Sequence, residues 1–390
     1  MWAPGRVQAF CLLLAAMATA WSLVPVHGSS LQTLEVLGKA LFSDTNLSHN
    51  RTVACATCHD PGAGFADPRD NGFAMPVSRA VSLGDDGITI GDRNAPSLGY
   101  VQFSPAFHKR ADGAYVGGQF WDGRETTLEA QAGRPLLDPG EMGMESRAAI
   151  AARLKENPDY VAAFETQFGE DVLDDADRTF EALTKAIAAF ERSAELAPFD
   201  SRYDRSLRGE LALTELEEKG RKLFFSEGTV NCSQCHLLHD GPGEAGETFT
   251  GYEFHNVGIP VNDAVRRANG GEAAADLGLL AHSDVSDPAQ AGRFKVPTLR
   301  NVAVTGPYMH NGMFQDLRTV IVFYNQFTSK DPAVNINPET GKPWGRTEFK
   351  KTLSLDELSD GLPLDDAQVD ALLAFLEALT DQRYEHLLRK

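Results

Sequence analysis

Two five-residue stretches carry the clearest chemistry in the sequence. Cys55, Cys58 and His59 form a Cys-x-x-Cys-His pattern, and Cys232, Cys235 and His236 repeat it. Two thiols one helical turn apart can add to the two vinyl groups of one haem, and the adjacent imidazole then reaches the iron as a ligand. A thioredoxin-like dithiol would need a strand–helix context that is missing here. A four-cysteine zinc site leaves the histidine after each pair unexplained. The pattern predicts two covalently bound c-type haems. The remaining axial ligands could be His, Met or Tyr, and spacing alone does not choose among them.

The elements that must position these motifs are helical. Leu34, Leu37, Leu41 and Phe42 recur at helical spacing and predict a helix over 31–43. Thr214 and Glu217 form a capping box that opens a helix running to about Phe225. Both helices carry one phrase, Gly38 to Phe42 and Gly220 to Phe224, and a cysteine pair follows each. The chain therefore reads as an internal duplication of one small helical module. Further helices are predicted at 146–156, 176–193 and 365–380, the last behind an Asp365-x-x-Gln368 cap. Long Gly/Pro/Asp-rich loops occupy 60–124, 226–300 and 325–363, as in chains that wrap a large cofactor. No alternating strand series is present. The expected fold is mainly α, with two cytochrome c-like haem domains and long loops, divided near 195–210 into 21–205 and 206–390.

The chain has 390 residues, 42% hydrophobic and 23% charged, which is ordinary globular composition. Its 36 basic and 55 acidic side chains give a formal charge of −19, which repels phosphate backbones and argues against nucleic-acid partners. Arg6, the apolar run from Phe10 to Ala20 and the Ala18-Thr-Ala20 site read as a cleaved signal peptide over 1–20, with a second possible cut after Gly28. The run is shorter than the roughly 20 residues needed to span a bilayer. An exported, periplasmic protein without a membrane span is expected. Cys11 leaves with the signal, and the other four cysteines are all in the two motifs.

Two longer phrases resemble a known family. Phe294 to Val302 (Phe-Lys-Val-Pro-Thr-Leu-Arg-Asn-Val), followed by Thr305 to Gly312, and Gly118 to Gly123 are similar to the bacterial di-haem cytochrome c peroxidase superfamily. Within it the chain resembles the MauG branch, the di-haem enzymes that complete tryptophan tryptophylquinone in methylamine dehydrogenase. The likeness runs from about Leu37 to Tyr384 and includes Gly84–Gly87, Gly91–Asn94 and Asn335–Gly341.

The resemblance implies roles for particular residues. Tyr324 stands where peroxidases of the superfamily carry a methionine ligand to the second haem; a phenolate is a hard anionic donor that favours high iron oxidation states. The bare sequence would read it as a half-buried core tyrosine on a helix. The loop Arg134–Met144 matches the distal pocket of the first haem. Pro135 there blocks a side-chain ligand, Glu141 serves as acid/base toward peroxide and Gln131 supports the pocket. Without the resemblance Glu141 would pass for a solvated loop acid. Trp121 matches a tryptophan between the haems that can relay charge, though an aromatic there can also be packing. Asn94, Thr305 and Pro307 match an inter-haem calcium site, a hard oxygen shell that nothing local in the sequence reveals. Val230 departs from the pattern, because the branch carries a tryptophan just before the second motif.

These roles imply a peroxide-utilising oxidoreductase that uses high-valent haem and long-range electron transfer to act on precursor methylamine dehydrogenase. Its oxidant would be hydrogen peroxide or oxygen plus electrons, the latter from a small cytochrome or cupredoxin. Two rivals are a di-haem peroxidase that reduces hydrogen peroxide, against which Tyr324 argues, and a non-enzymatic di-haem electron carrier, against which Glu141 and Pro135 argue.

Overall fold

A computed structural model describes Met1 and residues 31–388 apart from 76, 227–228, 239–242 and 271–273. The expected signal segment, with Arg6 and Cys11, lies outside the described residues. Among the described residues no helix is long and apolar enough to cross a membrane.

The first half holds α1 (Leu34–Phe42), α2 (Cys55–Cys58), α3 (Leu128–Leu137), α4 (Arg147–Lys155), α5 (Pro158–Phe168) and α6 (Ala176–Glu191). The second holds α7 (Arg202–Leu207), α8 (Glu215–Phe224), α9 (Asp263–Ala268), α10 (Leu317–Asn325), α11 (Leu355–Ser359) and α12 (Asp366–Glu377). The expected caps form. The Glu217 N–H donates to the Thr214 hydroxyl while the Thr214 N–H donates to the Glu217 carboxylate, and Asp365 with Gln368 does the same at α12. Strands are confined to antiparallel pairs of two residues, such as His108–Lys109 with Tyr115–Val116, so the chain is mainly helical.

Each half has its own apolar core. The first gathers Leu37, Phe42, Leu183, Ile187 and Phe190, and the second gathers Tyr203, Phe224, Phe249, Leu372 and Phe375. Both are built on one helix crossing. α1 meets α6 at Gly38, where a Cβ would stand 1.8 Å from the Ala186 carbonyl oxygen; α8 meets α12 at Gly220, where it would stand 1.8 Å from that of Ala371. Only glycine lets the backbones approach so closely. The shared Gly-to-Phe phrase read from the sequence is thus the contact surface of a repeated helix pair.

Two expectations need correction. Residues 134–137 are not loop: they form the last turn of α3, with Pro135 inside the helix. Proline is tolerated there because only the final turn lacks its N–H. The loops at 226–300 and 325–363 also carry the short helices α9 and α11, and α7 lies within the 195–210 boundary.

Candidate functional site

The cysteine motifs open onto one cavity of about 1370 Å³, more than the roughly 300–1,000 Å³ that holds a single drug-sized ligand. Cys55, Cys58 and His59 line it from the first half and Cys232, Cys235 and His236 from the second. Burial pushes the thiols of Cys55 and Cys232 up to about 12 and that of Cys58 to about 11. Such sulfurs resist ionisation, which suits uncharged thioethers and disfavours thiolate chemistry. Among the described residues no cluster of three or more His, Cys, Asp or Glu could hold a metal by itself, so the zinc alternative finds no support.

Each histidine is oriented in one way. The Nδ1 atom of His59 lies 3.3 Å from the Phe65 carbonyl oxygen, and that of His236 lies 3.1 Å from the Phe249 carbonyl oxygen. An Nδ1–H donated to a carbonyl leaves Nε2 with its lone pair, the arrangement of a metal-ligating imidazole. Burial lowers the affinity of both rings for a second proton, holding His236 at about 4. Phe65 and Phe249 share a left-handed backbone, with φ of 57° and 56°.

The repetition extends well beyond the cysteine motifs. Tyr100 and Asn301, both left-handed, each open a short 3-10 turn, Val101–Phe103 and Val302–Val304. Phe120 and Met309 have φ of 65° and 72°, and a bridge closes each following turn, Gln119 to Glu125 and Tyr308 to Phe314. Thr127 then caps α3 before Leu128, and Asp316 caps α10 before Leu317. In this register Pro135 and Tyr324 are the same position, each seven residues past its leucine. Sequence comparison of the halves alone did not expose that equivalence, because little identity survives between α3 and α10.

Both residues line the cavity. Tyr324 is half-buried, and its hydroxyl has no hydrogen-bond partner among the described residues. Burial raises its pKa, with Cys235 and then Cys232 adding to the effect, which puts the phenol beside the second cysteine pair. A phenol held this way loses its proton only to a strong neighbouring cation. Pro135 offers no donor atom. Past α3 the Asp138 carboxylate accepts the Gly140 N–H and turns the chain back, and the Met142 N–H reaches the Pro135 carbonyl at 3.1 Å. Glu141 is thereby brought beside Pro135 on the cavity wall. Although the residue is exposed to the cavity and solvent, the protein packed around its carboxyl, then Asp138, raises it to about 7 against the pull of Arg124. Gln131 lies one turn before Pro135 and also lines the cavity.

Trp121 is anchored by its indole N–H, which donates to the Asn94 carbonyl at 2.8 Å. The Asn94 amide nitrogen donates to Ala80 at 3.3 Å, leaving its side-chain oxygen without a donor among the described residues. The carbonyls of Thr305 and Pro307 likewise accept no hydrogen bond there, and all three residues line the cavity. Three unclaimed oxygens of this kind fit a hard cation such as calcium.

Three cavity residues were missed from the sequence. Glu191, at the end of α6, is 2% exposed, its Oε2 has no partner among the described residues, and burial raises its carboxyl to about 8. Burial opposes charge on His255, while the Glu253 carboxylate, 3.6 Å from its Nε2, favours the imidazolium. Lys295 reaches Ser104 and Gly118 from the other half. Nothing in their local sequence marks them.

Two helical modules that each bring a Cys-x-x-Cys-His motif to one cavity suit a di-haem protein, and the chain belongs to the di-haem cytochrome c peroxidase family, whose model, "Di-haem cytochrome c peroxidase", matches residues 32–212. It is an oxidoreductase family, and within it the chain falls in the MauG branch. The methylamine utilization protein MauG of Paracoccus denitrificans is 53% identical over 97% of this chain and 98% of its own length. The cytochrome c peroxidase Ccp of Escherichia coli is 36% identical over 71% of this chain but only 49% of its own length. Among solved structures, the diheme peroxidase BthA of Burkholderia thailandensis superposes with a TM-score of 0.79 at 34% identity, covering 92% of this chain and 88% of that one.

Proposed function

We propose that the chain is a periplasmic oxidase of two haem domains, 21–205 and 206–390, that completes tryptophan tryptophylquinone in the precursor of methylamine dehydrogenase. The near full-length likeness to a methylamine utilization protein supports the pathway. One observation carries the reading: at a single repeated position the first half has Pro135 and the second has Tyr324.

Haem in each half would supply the redox chemistry, with peroxide, or oxygen plus electrons, as the oxidant. His59 and His236 would hold the irons through Nε2. Pro135 has no donor atom to offer the first haem, which would leave room for peroxide. Glu141, at about 7, takes a proton from one peroxide oxygen and gives it to the other, and Gln131 supports the pocket. Tyr324 would hold the second iron through its phenol oxygen. Trp121 relays charge between the halves, and Asn94, Thr305 and Pro307 hold one calcium ion. A small cytochrome or cupredoxin delivers electrons when oxygen is the oxidant. The substrate protein is too large to enter the cavity, so its tryptophans lose electrons at a distance. Val230 leaves no tryptophan at the second motif to carry that charge outward.

Tyr324→Met tests the assignment. The wild type should show one high-spin and one low-spin ferric haem. The variant should still consume peroxide but lose quinone-forming activity. Wild-type maturation of the quinone by Tyr324→Met would overturn the role given to Tyr324. Rapid peroxide reduction with a c-type donor and no action on the precursor would instead favour an ordinary peroxidase.

A further inference from the structure

The repeat register pairs Asn94 with Lys295, Ser104 with Thr305, Gly118 with Pro307 and Trp121 with His310. Two backbone hydrogen bonds fix this pairing across the halves. The Asn94 N–H donates to the His310 carbonyl at 2.8 Å, and the Lys295 N–H donates to the Trp121 carbonyl at 2.8 Å. They are one contact made twice, with the halves exchanged.

The side chains at these positions do different things in the two copies. Asn94 offers a side-chain oxygen to the cavity that the Thr305 and Pro307 residues also line, and their carbonyls remain without donors among the described residues. Lys295 sends its ammonium to the matching residues of the first half: Nζ donates to the Gly118 carbonyl and to the Ser104 hydroxyl at 3.3 Å. The Ser104 hydroxyl itself donates to Gly118 at 2.8 Å. One copy has oxygens and needs a cation from solution; the other has a cation on a four-carbon tether.

We propose that Lys295 is a positioning residue whose ammonium does between Ser104 and Gly118 what calcium does between Thr305 and Pro307. It would pin the turn that carries Trp121 against the second half. Burial pulls the ammonium down to about 8, with Asp122 opposing, so it remains charged at neutral pH. The inference rests on the calcium assignment made above for Asn94, Thr305 and Pro307.

The test uses the holo-protein with Lys295→Met and Lys295→Asn, reading calcium per chain by elemental analysis, melting temperature and ferric haem spectra. Lys295→Met should keep the wild-type calcium count but melt lower by at least about 3 °C. Lys295→Asn recreates the oxygen donor of the other copy. In millimolar calcium it should carry one ion more than wild type and recover both the melting temperature and the spectrum, whereas chelator-treated protein should not. The proposal is overturned if Lys295→Met melts as wild type does. It is equally overturned if Lys295→Asn gains no ion and stays as unstable as Lys295→Met. Should Lys295→Met yield no folded holo-protein, Lys295→Asn grown with and without added calcium gives the same decision. A wild type free of calcium would sink the Asn94 assignment itself, a result separate from the fate of the lysine variants.

Discussion

In the first half the repeated position on the cavity wall is Pro135, followed by a turn that delivers Glu141; in the second it is Tyr324, and α10 simply runs on to Asn325. Around them the frame is the same: a glycine-mediated helix crossing, a histidine tied to a left-handed phenylalanine, and a capped helix behind a bridged turn. The halves also differ at Gly99, whose counterpart is the buried Arg300. A duplicated backbone therefore makes the positions, and single side chains decide whether a position reacts, ligates or clamps. Chemistry diverged here without any change of fold.

The largest expected effect breaks the reactive half alone. Glu141→Gln keeps shape and removes the titrating carboxyl, so the rate of reaction with peroxide should fall by about 10²–10⁴-fold. Below about 7 the Glu141 carboxyl is protonated and cannot accept the peroxide proton; above it the carboxylate can. The wild-type rate should rise with pH through about 7 and level off, and the Gln variant should show no such rise. Stopped-flow mixing over a pH series measures both. A spectrum of the Tyr324 haem unchanged by Glu141→Gln would keep the two halves' roles distinct; a pH rise that survives in the variant would remove Glu141 from the reaction.

How much of this was legible follows from local chemistry. The helices at 34–42, 215–224 and 366–377 announced themselves by periodicity and by Thr or Asp caps. α3 was hidden by Gly133 and Pro135, which read as loop residues, and α10 has apolar residues around most of its circumference, so no polar face marks its period. α5 did carry a signal, Asn157 followed by Pro158 at the first helical position, that went unused. The haem motifs were plain because their spacing is covalent chemistry. The equivalence of Asn94 with Lys295 was not, since it resides in backbone hydrogen bonds between halves, where 94–100 and 295–301 share little beyond Pro96 with Pro297 and Leu98 with Leu299.

A smaller effect sharpens the comparison at Arg300. Its guanidinium is fully buried, donates to Asp204 at 2.6 and 2.9 Å and to the Glu247 carbonyl, and stacks near Tyr100, Phe199 and Phe249. Removing one partner of a buried pair leaves the other charge stranded, at about 3–5 kcal/mol. Asp204→Asn should lower the unfolding free energy by that much, read as a lower denaturation midpoint, with the haem signal of the second half lost first. The corresponding first-half residue is glycine, so no such clamp exists there. An unchanged midpoint would mean that Arg300 is solvated in ways its burial excludes.

The smallest effect compares the halves where they are most alike. A methyl group at Gly38 would meet the Ala186 carbonyl oxygen at 1.8 Å and the Phe190 Cβ at 3.0 Å; at Gly220 it would meet the Ala371 carbonyl oxygen at 1.8 Å and the Phe375 Cβ at 2.8 Å. The same obstacles at nearly the same distances should exact similar losses, about 1–3 kcal/mol each as the helices are forced apart. Gly38→Ala should disturb the haem signal of the first half and leave the second intact, and Gly220→Ala should do the reverse, as read by ferric spectra during urea titration. Because each core is separate, the double variant should lose the sum of the two. Simultaneous loss of both haem signals in either single variant would instead show that the halves unfold as one body, and that their shared cavity, rather than each helix crossing, sets the cooperativity of the chain.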